Sequence, residues 1–423
     1  MEVVKLGDVA RIEDVVKCLH EEEEVFAVYE DLSKGLYSIV AWGSRNTVSS
    51  SGGNALDEVV QALKNARKRD YLYPLDIGLI GYVSYDAVRL WEKIPDIKPY
   101  PEEWPLIQMF EPINMAVYDH GKGIVYVDGD PSLLKTCRSR GGGTSTVHKI
   151  SLYDSMLDGD KFVRAVEETL KYVRDGYAFQ VVISRFQRYV YSGDLTQYYL
   201  NLRAINPSPY TYFIKFGDRA LIGASPELLF SLRRGVVETY PIAGTRPRGR
   251  TEEEDKALEK ELMESEKDRA EHLMLVDLAR NDIGKVCEPG TVRVEKLMYI
   301  EKYSHVQHIV SRVVGALRKR FTAVDVLKAV LPAGTVSGAP KPFAMKLIEE
   351  LEEYKRGPYA GAVGFFTTSG EATMAIAIRT AFVFRDLIRL QAGAGIVYDS
   401  NPHMELEETE HKLAALKKAL GIG

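Results

Sequence analysis

In Phe216–Gly217–Asp218–Arg219 and again in Phe384–Arg385–Asp386–Leu387, two apolar runs are separated by only a two-residue polar turn. So short a connection joins antiparallel neighbours, because a parallel pair needs a crossover of roughly a dozen residues or more. The pattern recurs along the chain. Glu24–Tyr29, Leu36–Trp42, Leu75–Tyr85 and Ile124–Val127 read as strands in the first 128 residues, broken by Gly, Asp and Pro. Phe179–Tyr191, Tyr212–Phe216, Val236–Tyr240, Ala372–Phe384 and Ile388–Gln391 read as strands further on, while Asp158–Arg174 and Glu252–Gly284 carry apolar residues at helical spacing. This irregular alternation favours an antiparallel α+β fold over a doubly wound parallel sheet.

At 423 residues the chain is longer than single cores usually grow, so two lobes or one elaborated sheet system is expected. The glycine-rich stretch Ser139–Ser145 cannot bury a core and is the expected connection. It separates an N-terminal lobe, 1–138, from a second region, 150–423, and the two are expected to intertwine. Hydrophobic residues at 45% and charged residues at 27% suit a soluble globular protein. No run reaches the roughly 18 apolar residues of a membrane span, and the N-terminus has no signal-peptide core, which predicts a cytoplasmic protein. A net charge of −5 gives no reason to expect nucleic acid. Cys18, Cys137 and Cys287 are scattered, suggesting neither a disulfide framework nor a zinc site.

Two pairs of acids carry the first hint of chemistry. Asp268 and Glu271 are three residues apart, as are Glu405 and Glu408, so each pair shares one face of a predicted helix. Either pair would also suit a solvated acidic face. Brought to one pocket, the four would repel by roughly 4 kcal/mol per contact at 4 Å and an effective dielectric of 20, and would need a divalent cation. Magnesium suits oxygen ligands and tends to bridge to an anionic substrate. Three Gly-rich segments, 241–246, 332–340 and 391–396, read as loops whose backbone N–H groups can approach an anion, or as plain turns. None is a phosphate-binding or dinucleotide-binding loop. Arg379 lies within the apolar run Ala375–Val383, where a lone cation should meet a carboxylate, either of a ligand or of the protein.

Six segments in one order carry a resemblance. They are SPELL at 225–229, PIAGTRPRG at 241–249, AEHLMLVDLARND at 270–282, HVQHIVSRV at 305–313, LPAGTVSGAPK at 331–341 and GAGIVYDSNPHMELEET at 393–409. Together they resemble the motif set of the chorismate-utilising enzymes over roughly 155–418. The resemblance implies a large two-lobed α+β fold with antiparallel sheets packed face to face and helices outside. It also implies Mg²⁺ bound by Asp268, Glu271, Glu405 and Glu408, with a chorismate carboxylate completing the shell. Gly244, Thr245, Tyr359, Arg379, Gly393 and Gly395 would hold chorismate, Arg379 meeting its enolpyruvyl carboxylate.

Within that family three positions imply the branch that forms anthranilate and pyruvate. Gln180 stands where the water-adding members have a lysine, so ammonia is the implied nucleophile. Ala243 stands where aminodeoxychorismate synthases, the alternative, have a nucleophilic lysine. Asn206–Tyr210 resembles part of a tryptophan feedback site, which implies inhibitor contacts from Glu30, Asp31, Asn206, Pro209, Tyr210 and Thr211, although Asp31 replaces the usual serine. Asp268 likewise replaces the usual glutamate and is one methylene shorter, so it would meet the metal either directly or through water. Glu227, His308 and Thr335 are the implied catalytic residues. Glu227 would protonate the leaving ring hydroxyl, which requires a carboxyl that stays protonated near neutral pH. His308 would take the ring proton. His272 would orient a carboxylate or a partner group, with His305 a neighbour of no assigned role. The chain has no Gly-x-Cys-x-Gly nucleophile, so a separate glutamine amidotransferase subunit is the implied ammonia source.

Overall fold

A computed structural model describes residues 2–32, 36–69, 73–137, 149–303 and 306–422. Its twenty strands join in one network in which every pairing is antiparallel. Both two-residue turns, at 217–218 and 385–386, are hairpins, pairing Arg219 with Phe216 and Phe384 with Leu387.

The network folds over on itself at one strand pair. The strands Tyr37–Ser50 and Ile107–Asp119 pair along their length, with a register shift between Ser44 and Asn46 opposite Pro112. Gly43 there takes φ +66°, which a residue with a Cβ rarely adopts, and Pro112 has no N–H to give the ladder. On one side of this corner the sheet continues through Val25–Asp31, Tyr210–Phe216, Arg219–Ser225, Thr380–Phe384, Leu387–Ile396 and Gln180–Ser192. On the other it continues through Ile77–Val83, Ala362–Thr367, Ala372–Ile376, Leu228–Arg233, Val236–Thr239 and Val306–Ala316. The two halves pack face to face over aromatic rings, as in Tyr29 against Phe365 and Phe110 against Phe216, each with centroids 5.8 Å apart. Helices Ile12–Glu22, Leu195–Ile205 and Pro402–Leu420 cover the outer face of the first half through Val15, Leu19, Tyr199, Leu202, Leu413 and Leu416. Helices Ala323–Val330 and Glu266–Gly284 pack on the second.

Four expectations are corrected. The strand expected over Ala372–Phe384 is two strands, broken at Ala377–Arg379, because Arg379 takes φ +52°. The helix expected over Glu252–Gly284 is two, separated at Ser265, whose extended backbone lets its hydroxyl cap the second. The segment 391–396 is the end of a strand, not a loop, and 241–246 is largely the strand Ile242–Pro247. Cys18 and Cys137 form a disulfide across 119 residues; only the packing of their helical segments brings them together, which spacing does not reveal. The connection Ser139–Ser145 and His305 lie outside the described residues.

Candidate active site

Strand Arg219–Ser225 ends where Pro226 interrupts the ladder, and the next strand starts at Leu228. Glu227 therefore sits at a corner, pinned by its own N–H donating to Ser225 Oγ at 3.3 Å and by Ile376 N–H donating to its carbonyl at 3.0 Å. Its carboxyl is buried, and Thr335 Oγ1 donates to Oε1 at 2.8 Å from the single turn Gly334–Val336. Burial pushes the carboxyl up to about 7, against the opposing pull of Thr335 and of the Lys412 ammonium. Near neutral pH it can hold a proton and give it away.

His308 lies on strand Val306–Ala316, whose partner Ile242–Pro247 is bulged at Gly244. Its Nδ1 is 3.0 Å from Gly244 O and 3.1 Å from Thr245 Oγ1. A carbonyl can only accept, so Nδ1 carries the proton and Nε2 keeps its lone pair. Burial is the main reason the imidazole pKa falls below 6.5, and the charge of Arg379 adds to it against the bond to Gly244 O. The site thus holds a carboxyl raised to neutrality and an imidazole held neutral. Gly244 has φ +67°, and a Cβ there would lie 2.9 Å from Leu262 Cδ1 and 3.2 Å from Asp268 Cβ, so this turn presses directly on the acidic helix.

That helix, Glu266–Gly284, is capped by Ser265 Oγ accepting from Asp268 N at 3.2 Å, and Pro402–Leu420 by Asn401 Oδ1 accepting from His403 and Met404 N–H. Both helices bring their acids in at their positive N-terminal ends. They converge. Glu271 is raised by burial and then by the charges of Asp268 and Glu408, and Glu405 by burial and Glu408 against its bond to Ser400. Among the described residues no three ligand-type side chains stand close enough to hold an ion as they lie. Asp268 is paired with Arg246 at 3.1 Å and Glu408 with Lys412 at 2.6 Å. The donor set of four carboxylates suits a hard, oxygen-seeking cation, whose charge would replace those two internal partners.

Lys412 was not singled out from the sequence. Its Nζ also donates to Gly393 O at 2.8 Å, and its charge is felt by Glu227, Glu271 and Glu405. The only sequence signal was its position four residues after Glu408, a spacing shared by many surface pairs.

The break at Arg379 shapes the remaining wall. Strand Leu387–Ile396 pairs with Gln180–Ser192 along its whole length, but with Thr380–Phe384 only as far as Leu390. Among the described residues no strand covers the other edge of Ala392–Ile396, near which lie Tyr359 and Lys412. A Cβ on Gly393 would lie 3.1 Å from Tyr359 Oη, and one on Gly395 3.1 Å from Gln180 Nε2, so side chains here would fill the groove. Arg379 is half-buried and makes no ion pair or side-chain hydrogen bond among the described residues. Burial lowers its pKa while Tyr359 and Glu408 pull it up. Of its two readings, the internal ion pair is not made. Gln180 is 2% exposed and its Oε1 has no hydrogen-bond partner.

Two expected residues stand differently. His272 turns into the core, its Nε2 2.6 Å from Ser311 Oγ and its pKa lowered to about 4 by burial, so it is a neutral packing residue rather than an orienter of carboxylates. Glu30 is wholly buried and makes its bonds internally, accepting from Tyr199 Oη at 2.6 Å, Arg203 Nε at 2.8 Å and Ser38 Oγ at 3.0 Å. The structure does bring the two distant segments of this group together. Asp31 pairs with Tyr210 and Glu30 with Thr211, Leu32 N–H donates to Pro209 O, and Asn206 Nδ2 donates to Ala224 O at 3.4 Å. A cavity of about 410 Å³ opens beside them, lined by Leu32, Pro209, Tyr210, Pro226, Tyr240 and Tyr303. It reaches from this group to the residue before Glu227.

A family described as chorismate binding enzymes matches residues 24–418. The chain is 55% identical to anthranilate synthase component 1 of Saccharolobus solfataricus, with all of both chains covered. It is 45% identical to anthranilate synthase component 1 of Aeropyrum pernix, over 97% of this chain and 94% of that one. Among solved structures, the crystal structure of anthranilate synthase component I from Streptococcus pneumoniae superposes with a TM-score of 0.80 at 37% identity, covering 91% of this chain and 92% of that one.

Proposed function

The chain belongs to the chorismate binding enzymes, and from that premise we propose that it converts chorismate and ammonia to anthranilate and pyruvate, the entry step of tryptophan biosynthesis. The observation that carries this reading is the buried Glu227 carboxyl, raised to about 7 and bonded to Thr335, in a groove where Arg379 makes no ion pair among the described residues. Arg379 and the open edge of Gly393–Gly395 hold the substrate's carboxylate end, and Tyr359 closes the wall behind them. Glu227 gives its proton to the ring hydroxyl, which leaves as water while ammonia bonds to the ring. Nε2 of His308 takes the ring proton whose loss restores aromaticity as pyruvate departs. Gln180 offers an amide where water addition would need a base, and Ala243 cannot form a covalent adduct, which favours direct amination.

Magnesium is part of the proposal: Asp268, Glu271, Glu405 and Glu408 would hold it, and its charge would bind a substrate carboxylate. Ammonia comes from a glutamine amidotransferase partner. Among this chain's cysteines two are joined in a disulfide, and Cys287 is buried with its thiol pushed up to about 11, so none can serve as a glutaminase nucleophile. Feedback inhibition by tryptophan at the segments around Asp31 and Tyr210 completes the reading, with Glu30 shaping the site rather than touching the inhibitor. The test is direct. Purified chain with chorismate, Mg²⁺ and ammonium should develop anthranilate fluorescence and pyruvate, and glutamine in place of ammonium should yield neither. Anthranilate from glutamine alone, or a product that retains the enolpyruvyl group, would contradict it.

A further inference from the structure

One guanidinium outside this set lies behind three of its members. Arg356 is 1% exposed; its Nη1 donates to Val336 O at 2.6 Å and its Nη2 to Val182 O at 2.7 Å. Nε and Nη2 also donate to the two oxygens of Glu352, at 3.0 and 2.6 Å. The cation lies 5.7 Å from the centre of the Tyr359 ring and 4.9 Å from that of Tyr85. Glu352 is itself fixed, accepting from Ser184 N at 2.8 Å and Ser184 Oγ at 2.9 Å. Val336 directly follows Thr335, Val182 is two residues beyond Gln180, and Ser184 pairs with Gly393.

Burying such an ion pair is often no more stabilising than apolar packing of the same volume, so stability alone is a weak reason for it. Its geometry supplies a better one. We propose that Arg356 is a positioning residue, whose planar fork fixes the Thr335 turn, and through Thr335 the Glu227 carboxyl, against the Gln180 strand and Tyr359. The proposal rests on Glu227 acting as the acid in the reaction above. Lysine cannot replace this fork, because one ammonium cannot reach two carbonyls and both oxygens of a carboxylate in the same plane. Loosening the turn weakens the bond from Thr335 Oγ1 to Glu227. Since that bond favours the charged carboxylate, its loss lets burial push the Glu227 midpoint higher.

Infrared pH-difference spectra of the full chain read Glu227 as the carboxyl band missing from Glu227→Gln, and need no turnover. Arg356→Lys is expected to raise this midpoint by about one pH unit. Thr335→Val should raise it similarly, with no further rise in the double variant. Arg69→Lys, which disturbs another buried pair, with Asp128 near the sheet corner, is expected to lower the melting temperature and leave the midpoint in place. An unmoved midpoint in Arg356→Lys, or an equal rise in Arg69→Lys, would overturn the proposal. Should Arg356→Lys not fold, Glu352→Gln carries the same test, because it keeps the guanidinium and removes the charge that anchors it. A wild-type chain that fails to aminate chorismate would overturn the reaction instead, while the midpoint comparison still decides the role of Arg356.

Discussion

Glu227 and His308 are pushed by the same physical cause in chemically opposite senses. Burial disfavours charge, which raises the carboxyl and lowers the imidazole, so both are neutral together near pH 7, one holding a proton and the other ready to take one. Expressed per unprotonated ammonia, kcat/KM should fall above about pH 7 as Glu227 ionises and fall below pH 6.5 as His308 gains its proton. Glu227→Gln should lower kcat by roughly 10²–10⁴-fold and abolish the alkaline limb. A pH–rate profile in which the limb survives that substitution would remove Glu227 from the acid's role. The motif residues were legible because their chemistry is written in their identity. The positive φ of Arg379 was not, since an arginine within a β-branched run reads as strand until packing demands a break. The role of Lys412 was hidden for another reason: its partners Gly393 and Glu227 are distant in sequence, and only the fold reveals them.

Among the elements, helix starts decide where the acids point. The spacing of Asp268 with Glu271 and of Glu405 with Glu408 was readable, as was their helical setting; the caps at Ser265 and Asn401, which fix where each first turn begins, were passed over. Ser265 sits between two runs that are each good helix formers, so the periodic pattern ran through it. Segment 391–396 was misread because glycine signals a loop in sequence, whereas here it lies inside a strand and leaves its edge free of side chains. The Cys18–Cys137 disulfide fastens helix Ile12–Glu22 to the segment that ends the N-terminal region. Closing a loop of 119 residues, it should contribute up to about 4–5 kcal/mol by restricting the unfolded chain. Cys18→Ser, or reductant on the wild type, should therefore lower the melting temperature clearly. Three titratable thiols in the denatured, unreduced chain would show that the bond does not form.

For the whole molecule, the antiparallel α+β class followed from two-residue turns, but the corner at Gly43 and Pro112 did not, because it depends on Pro112 pairing with Ser44, next to Gly43, from a strand some 70 positions away in the chain. That corner is what stacks one half of the sheet on the other, and Glu227 lies where the chain crosses between them, from Arg219–Ser225 to Leu228–Arg233. In the proposed reaction the choice of nucleophile belongs to Gln180, buried beside Gly395 with a side-chain oxygen that has no hydrogen-bond partner among the described residues. The chain supplied with chorismate, Mg²⁺ and ¹⁵N-ammonium in H₂¹⁸O therefore puts the central claim to its sharpest test, read by mass spectrometry of the product. The expected result is anthranilate carrying one ¹⁵N and no ¹⁸O introduced on the ring. A ring product bearing ¹⁸O and no ¹⁵N would show that water is the nucleophile and contradict it.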